Sequence, residues 1–187
     1  MKKSAILFVA FVALITLSAC SSSSGDSTPL AMGPVDAPVL IEEFSDIQCP
    51  ACGVISPQVE QLARNNSDIV RLEFHHFPLS YHEFAFQGAM GVECARDQGK
   101  GWEYMSTLFA NQSSLSDSFF YNVALGLNLN MDRFKECFDS GEKRSVVQKG
   151  LAEGKKRQIP GTPTIYINGE QVNWSGYEAM ETYIKGL

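Results

Sequence analysis

Residues 39–52 read VLIEEFSDIQCPAC, an apolar run from Val39 to Phe44 followed by two thiols spaced as Cys49-Pro50-Ala51-Cys52. The run has the length and composition of a strand, and the thiols stand where a helix is predicted to begin. A Cys-x-x-Cys spacing around one helical turn brings two sulfurs within bonding reach, so redox chemistry between them is the leading reading. Pro50 suits the first helical position, where its missing amide hydrogen would have had no intrahelical partner, and Ala51 continues the turn. Cys49 then lies at the helix N-terminus, where unpaired backbone N–H groups and the helix dipole favour a thiolate over a thiol. Cys49 is read as the nucleophile and Cys52 as its buried partner.

Outward from that stretch, the helix continues through Ser56 to Ala63, with Pro57 expected to kink it and Val54, Ile55, Val59, Leu62 and Ala63 at spacings that suit a buried face. Ile69 to Phe74 reads as a second strand. From residue 79 to about 158 the pattern turns helical, with His82–Gln98, Trp102–Asn111, Ser118–Leu125, Met131–Ser140 and Ser145–Lys156 as candidates divided by Gly99, Gly101, Gly126 and Gly141. Thr164–Ile167 is a strand, Asn168-Gly169 a hairpin turn to a short strand near Val172, and Tyr177–Lys185 a closing helix. The order implies an α/β sheet with helices on its faces, and a helical block too long for a connection is an inserted subdomain.

The chain opens Met1-Lys2-Lys3, followed by an uncharged, mostly apolar run from Ala5 to Leu17. This is the pattern of a secretory signal, too short to span a bilayer. Leu17-Ser18-Ala19-Cys20 resembles the bacterial lipobox, which implies residues 1–19 as signal peptide and Cys20 as the lipidated mature N-terminus. Ser21 is not the aspartate that retains Gram-negative lipoproteins at the inner membrane. Residues 20–33, rich in serine, are expected to be a flexible tether, and residues 34–187 one domain. Without Lys2 and Lys3 the balance is 13 Lys and Arg against 21 Asp and Glu, a formal charge of −8 that argues against a nucleic-acid partner. The basic run Lys155-Lys156-Arg157 reads as a solvated helix end, with a local field near the active site as the alternative. With Cys20 set aside, four cysteines remain, which suggests two pairs in a compartment where disulfides persist.

The phrases EEFSDIQCPAC (42–52), FHHFPLSYHEFA (74–85) and IPGTPTIYING (159–169) together resemble the DsbA-like thiol:disulfide oxidoreductases, whose fold is the thioredoxin fold with an inserted all-helical subdomain. The resemblance runs from about Gly33 onward. It implies that Pro163 is a cis-proline facing the thiols, that the Thr162 backbone is free to pair with an extended peptide, and that Glu43 is an acidic residue buried beneath Cys52. A buried carboxylate there would have a raised pKa and could pass a proton to and from that sulfur. It also implies a structural disulfide between Cys94 and Cys137, against which stand two buried free thiols or a relay to the active pair. Pro50-Ala51 lacks the histidine of strongly oxidising members, and Thr162 occurs in members with different redox roles.

The expected activity is disulfide introduction into exported proteins with free thiols, without a cofactor. A monomer held by its lipid anchor near a membrane redox partner of DsbB or VKOR type is expected. Reversed flow, as reductase or isomerase, keeps the same site, although no separate dimerisation segment is visible for an isomerase. A non-catalytic lipoprotein binding peptide or metal is the reading from another class. His75, His76 and His82 are read as packing or surface residues, since neighbours on a strand point to opposite faces.

Overall fold

The computed structural model describes residues 28–187, so Cys20, the leader and most of the expected tether lie outside the described residues. The strands are β1 (Leu30–Met32), β2 (Val39–Ser45), β3 (Val70–His76), β4 (Thr164–Ile167) and β5 (Glu170–Val172). The helices are α1 (Pro50–Asn65), α2 (Ala85–Arg96), α3 (Gly101–Ala110), α4 (Asp117–Gly126), α5 (Met131–Ser140), α6 (Arg144–Lys156) and α7 (Tyr177–Ile184).

β2 and β3 pair in parallel, Ile41 opposite Leu72 and Ser45 opposite His76, with α1 as their crossover. The sheet order is β1-β3-β2-β4-β5, and the remaining pairs are antiparallel. β2 is central, which is why its residues on both faces are covered. On one face Val39, Ile41, Val70, Leu72, Ile165 and Ile167 meet Val59 and Leu62 of α1 and Met180 and Ile184 of α7. A second core fills the helical block around Tyr104, Leu108, Phe120 and Phe134, and it also takes in Cys49 and Cys52. The five helices α2–α6 between β3 and β4 form the expected insertion, and the fold is the thioredoxin-like one.

The hairpin forms as its sequence predicts: Asn168 and Gly169 take φ of 50° and 85°. Asn168 also locks the turn to β2, its Oδ1 accepting from the Leu40 amide at 2.8 Å. α5 keeps its predicted bounds because Asn130 caps its start, accepting from the Arg133 amide, and Gly141 ends it at φ 68°.

Four expectations are corrected. The tether was expected to reach residue 33, yet Leu30–Met32 is an edge strand on β3. Three residues show no alternation to read, and the strand exists because β3 offers an open edge. Its exit is fixed by Gly33 at φ +84°, where a Cβ would lie 2.0 Å from the Val70 carbonyl oxygen. Val54, expected on the buried face of α1, is 64% exposed. α2 begins at Ala85 rather than His82, because the preceding turn is held elsewhere: Asp46 accepts from the Leu79 amide and the His82 ring, and Gln48 accepts from the Phe84 amide. Finally, Arg157 is not a solvated end. Its guanidinium grips Glu42 of β2 with both nitrogens at 2.8 and 3.0 Å and lies over the rings of Phe44 and Tyr166. α1 runs through Pro57 as one helix.

Candidate active site

β2 ends at Ser45 and the chain turns into α1 through Asp46-Ile47-Gln48. Cys49 is the N-cap, in extended conformation at φ −70° and ψ 123°, and Pro50 opens the helix. Cys52 follows one turn inside, fully enclosed, whereas Cys49 keeps 8% of its surface. Both are free thiols. The difference in access matches the sequence-derived roles, since only the cysteine that a partner sulfur can reach can be attacked.

The Thr162–Pro163 peptide bond is cis. The Thr162 carbonyl accepts from the Cys49 thiol at 3.4 Å. The carbonyl expected to be free for a peptide is therefore engaged by Cys49 while both thiols are reduced. The Thr162 hydroxyl is buried without a hydrogen-bond partner and lies where it would stabilise a Cys52 thiolate.

Glu43, expected beneath Cys52, is 1% exposed, and Ser45 belongs to the surroundings of both groups. Burial pushes the Glu43 carboxyl up to about 7, against hydrogen bonds from Ser56 and Ser45 that favour the ionised form. Burial also pushes the Cys52 thiol up to about 12, opposed by Ser45, the Asp46 backbone and Thr162. Ser56 donates to Glu43 Oε1, and the Ser45 and Ser56 hydroxyl oxygens are 2.9 Å apart. Glu42 points to the other face of the sheet, as strand alternation requires, and pairs with Arg157.

Several supporting residues carried no signal in the sequence. Gln112, in the short 3-10 turn after α3, donates from Nε2 to the carbonyls of Ile47 and Cys49 at 2.9 and 2.8 Å. It fits because Gly53 has no side chain: a Cβ there would lie 2.4 Å from Gln112 Oε1. Asp46 ties the same loop to residues 79–82, and its carboxylate also accepts from the Gln48 amide. A polar residue in a loop has no periodicity, so only the folded chain brings these together. Pro50 and Ala51 are exposed beside the thiols.

Cys94 of α2 and Cys137 of α5 are joined in a disulfide within the helical block. The histidines go three separate ways. His75 stacks on Phe44 with ring centroids 4.4 Å apart, His76 meets Glu93 at 2.9 Å, and His82 meets Asp46 at 2.8 Å. Glu42, Glu73 and His75 bring ligand atoms within 4.8 Å of one another, but Arg157 and Arg71 already neutralise the two carboxylates.

A family model for thioredoxin, Thioredoxin_4, matches residues 26–186. The chain therefore belongs to the thioredoxin family. In fold it resembles solved structures of DsbA type. Alpha-DsbA2, a thiol-disulfide exchange protein of Wolbachia pipientis, superimposes with a TM-score of 0.75 over 86% of this chain and 87% of its own, at 16% identity. BdbD of Bacillus subtilis gives 0.72 over 86% and 92%, at 24% identity. DsbA of Mycobacterium tuberculosis gives 0.68 over 85% and 91%, at 16% identity. Among curated relatives, Na(+)/H(+) antiporter NhaA 3 of Salinispora tropica is 32% identical over 140 residues, 74% of this chain. The chain spans about a fifth of the length of such relatives, 21% in that case.

Proposed function

We propose that this protein is a thiol:disulfide oxidoreductase that introduces disulfide bonds into exported proteins through the Cys49–Cys52 couple. The observation that carries the reading is the asymmetry of the pair: a reachable Cys49 at a helix N-terminus, its thiol against the Thr162 carbonyl, and a fully enclosed Cys52. In the oxidised protein a substrate thiolate attacks the Cys49 sulfur. A substrate–Cys49 bond forms, the Cys49–Cys52 bond breaks, and its electron pair stays on Cys52, which takes up a proton. A second substrate thiolate then attacks the substrate sulfur of the mixed disulfide, and Cys49 departs as a thiolate facing the backbone N–H groups of α1. The substrate has lost two electrons, and the protein has gained them as two thiols.

Reoxidation then requires an electron acceptor. A membrane partner of DsbB or VKOR type fits, with the leader and Cys20 placing the domain on the extracytoplasmic side of a bacterial membrane by a lipid anchor. The basis for that placement is the residue 1–20 pattern. The test is oxidative refolding of a reduced, unfolded disulfide protein by the oxidised protein, followed as recovered substrate activity. Stoichiometric recovery supports the reading, together with none from Cys49→Ser. Failure to oxidise, with rapid cleavage of substrate disulfides by the reduced protein, would reverse the direction. Substrate binding that survives Cys49→Ser without any thiol exchange would leave only a binding module.

A further inference from the structure

Gln112 belongs to the insertion but bonds to the loop that carries Cys49. It stands in the short 3-10 turn between α3 and α4, and its Nε2 donates to the carbonyls of Ile47 at 2.9 Å and of Cys49 at 2.8 Å. A primary amide carries two N–H donors, enough for one to each carbonyl. The Cys49 carbonyl also accepts from the Gly53 amide at 3.0 Å, the bond that closes the first turn of α1. At that turn the Cys49 side chain makes no capping bond, and Pro50 has no amide hydrogen to give. Helix ends fray unless something outside the helix holds them. Fraying here would carry the Cys49 sulfur away from Cys52, which is fully enclosed in the core. Gly53 is the other half of the arrangement. Glycine inside a helix is unfavourable against alanine, yet a Cβ at this position would lie 2.4 Å from Gln112 Oε1 and 2.7 Å from its Cδ. The bare Cα leaves the space that the Gln112 amide fills.

We propose that Gln112 is a positioning residue for the exchange at Cys49: through its amide the insertion holds Cys49 within reach of Cys52. The inference rests on the disulfide exchange proposed above. The step it serves is resolution of the mixed disulfide. With an outside sulfur bonded to Cys49, the Cys52 thiolate attacks the Cys49 sulfur. The Cys49–Cys52 bond forms, the bond from Cys49 to the outside sulfur breaks, and its electron pair leaves on that sulfur, which takes up the proton that Cys52 released. Ordering Cys49 beforehand raises the effective concentration of Cys52 at this sulfur, because that ordering is no longer needed when the bond forms. Gln112 acts on the backbone of Cys49, so it favours the internal disulfide over the mixed one without taking part in the chemistry.

The test is the ratio of the Cys49–glutathione mixed disulfide to the Cys49–Cys52 disulfide in the detergent-solubilised full-length protein. The protein is equilibrated in glutathione buffer of fixed thiol concentration, quenched with acid and read by intact mass. Gln112→Ala is expected to raise the ratio on the order of tenfold, the equivalent of one net hydrogen bond. Gly53→Ala displaces the Gln112 amide and should raise it by a similar factor, although the helix propensity of alanine alone would lower it. In the Gln112→Ala chain the same Gly53→Ala should leave the ratio unchanged or lower it, because no amide remains to be displaced. Gln112→Met, similar in length and without donors, carries the test should Gln112→Ala not fold. A wild-type ratio in Gln112→Ala, even with a lower urea midpoint, would make Gln112 structural only and overturn the proposal. An equal effect of Gly53→Ala in both backgrounds would overturn it as well. A wild-type protein that forms neither disulfide in the buffer would sink the exchange reading itself, an outcome distinct from the others.

Discussion

Glu43 and Glu42 are neighbours in sequence with opposite environments. Glu42 has an arginine across it, while Glu43 has hydroxyls, apolar walls and the like charge of Glu60. The folded state holds the Glu43 proton to about 7, against an ordinary 4.5. Between those values the folded chain binds more protons than the unfolded one, so stability is fullest below the window and is lost as pH rises through it. Glu43→Gln removes that loss. It should raise stability at pH 8 by on the order of 3 kcal/mol and leave it nearly unchanged at pH 4, read from urea unfolding of the reduced protein. Equal midpoints at the two pH values would show that Glu43 is ionised in the fold. Glu43 was legible through the resemblance of EEFSDIQCPAC, which implies an acidic residue buried beneath Cys52. Ser45 and Ser56 were not, since a hydroxyl mid-strand or mid-helix looks like any solvent-facing serine until register brings the two elements together.

The elements show where patterning reaches and where it stops. α6 was legible from its ends, but its seat on β3 depends on two glycines no periodicity marks. A Cβ at Gly150 would lie 2.4 Å from the His76 carbonyl oxygen, and one at Gly154 would lie 2.4 Å from the Phe77 ring. A strand backbone cannot step aside, so Gly150→Ala should cost about 1–3 kcal/mol, seen as a lower urea midpoint with unchanged slope. An unchanged midpoint would mean α6 can lift from the sheet. Arg157, just past α6, binds the helix to β2 through Glu42. Arg157→Leu leaves that buried carboxylate without its cation and should destabilise the chain, whereas Glu42→Gln in the same chain should recover most of the loss. Additive losses would assign Arg157 to packing over Phe44 and Tyr166 instead. The edge strand Leu30–Met32 escaped the sequence reading for a different reason: its conformation is imposed by β3, not by its own residues.

For the whole molecule, the thioredoxin half and the helical insertion were separable in sequence because the period changes from strand to helix at residues 77–85 and back at 161–164. Their joining was less visible. Cys49 caps α1 and Cys52 lies within it, yet both pack into the core of the insertion, so the site exists only where the halves meet. The Cys94–Cys137 disulfide closes a span of 43 residues inside the insertion. By chain entropy it stabilises the fold by about 4 kcal/mol, and the double Cys94→Ala, Cys137→Ala variant should lose that amount in thermal unfolding while Cys49–Cys52 still exchanges with glutathione. Loss of exchange in the folded double variant would make the second pair part of the redox path.

The most direct measurement is the glutathione redox equilibrium of Cys49–Cys52 in the full-length protein. The account predicts a reversible two-electron couple, abolished in Cys49→Ser, with a potential closer to the roughly −120 mV of strong dithiol oxidants than to the roughly −270 mV of thioredoxin. A potential at the thioredoxin end would contradict disulfide donation, and the absence of any reversible couple would contradict the active-site assignment itself.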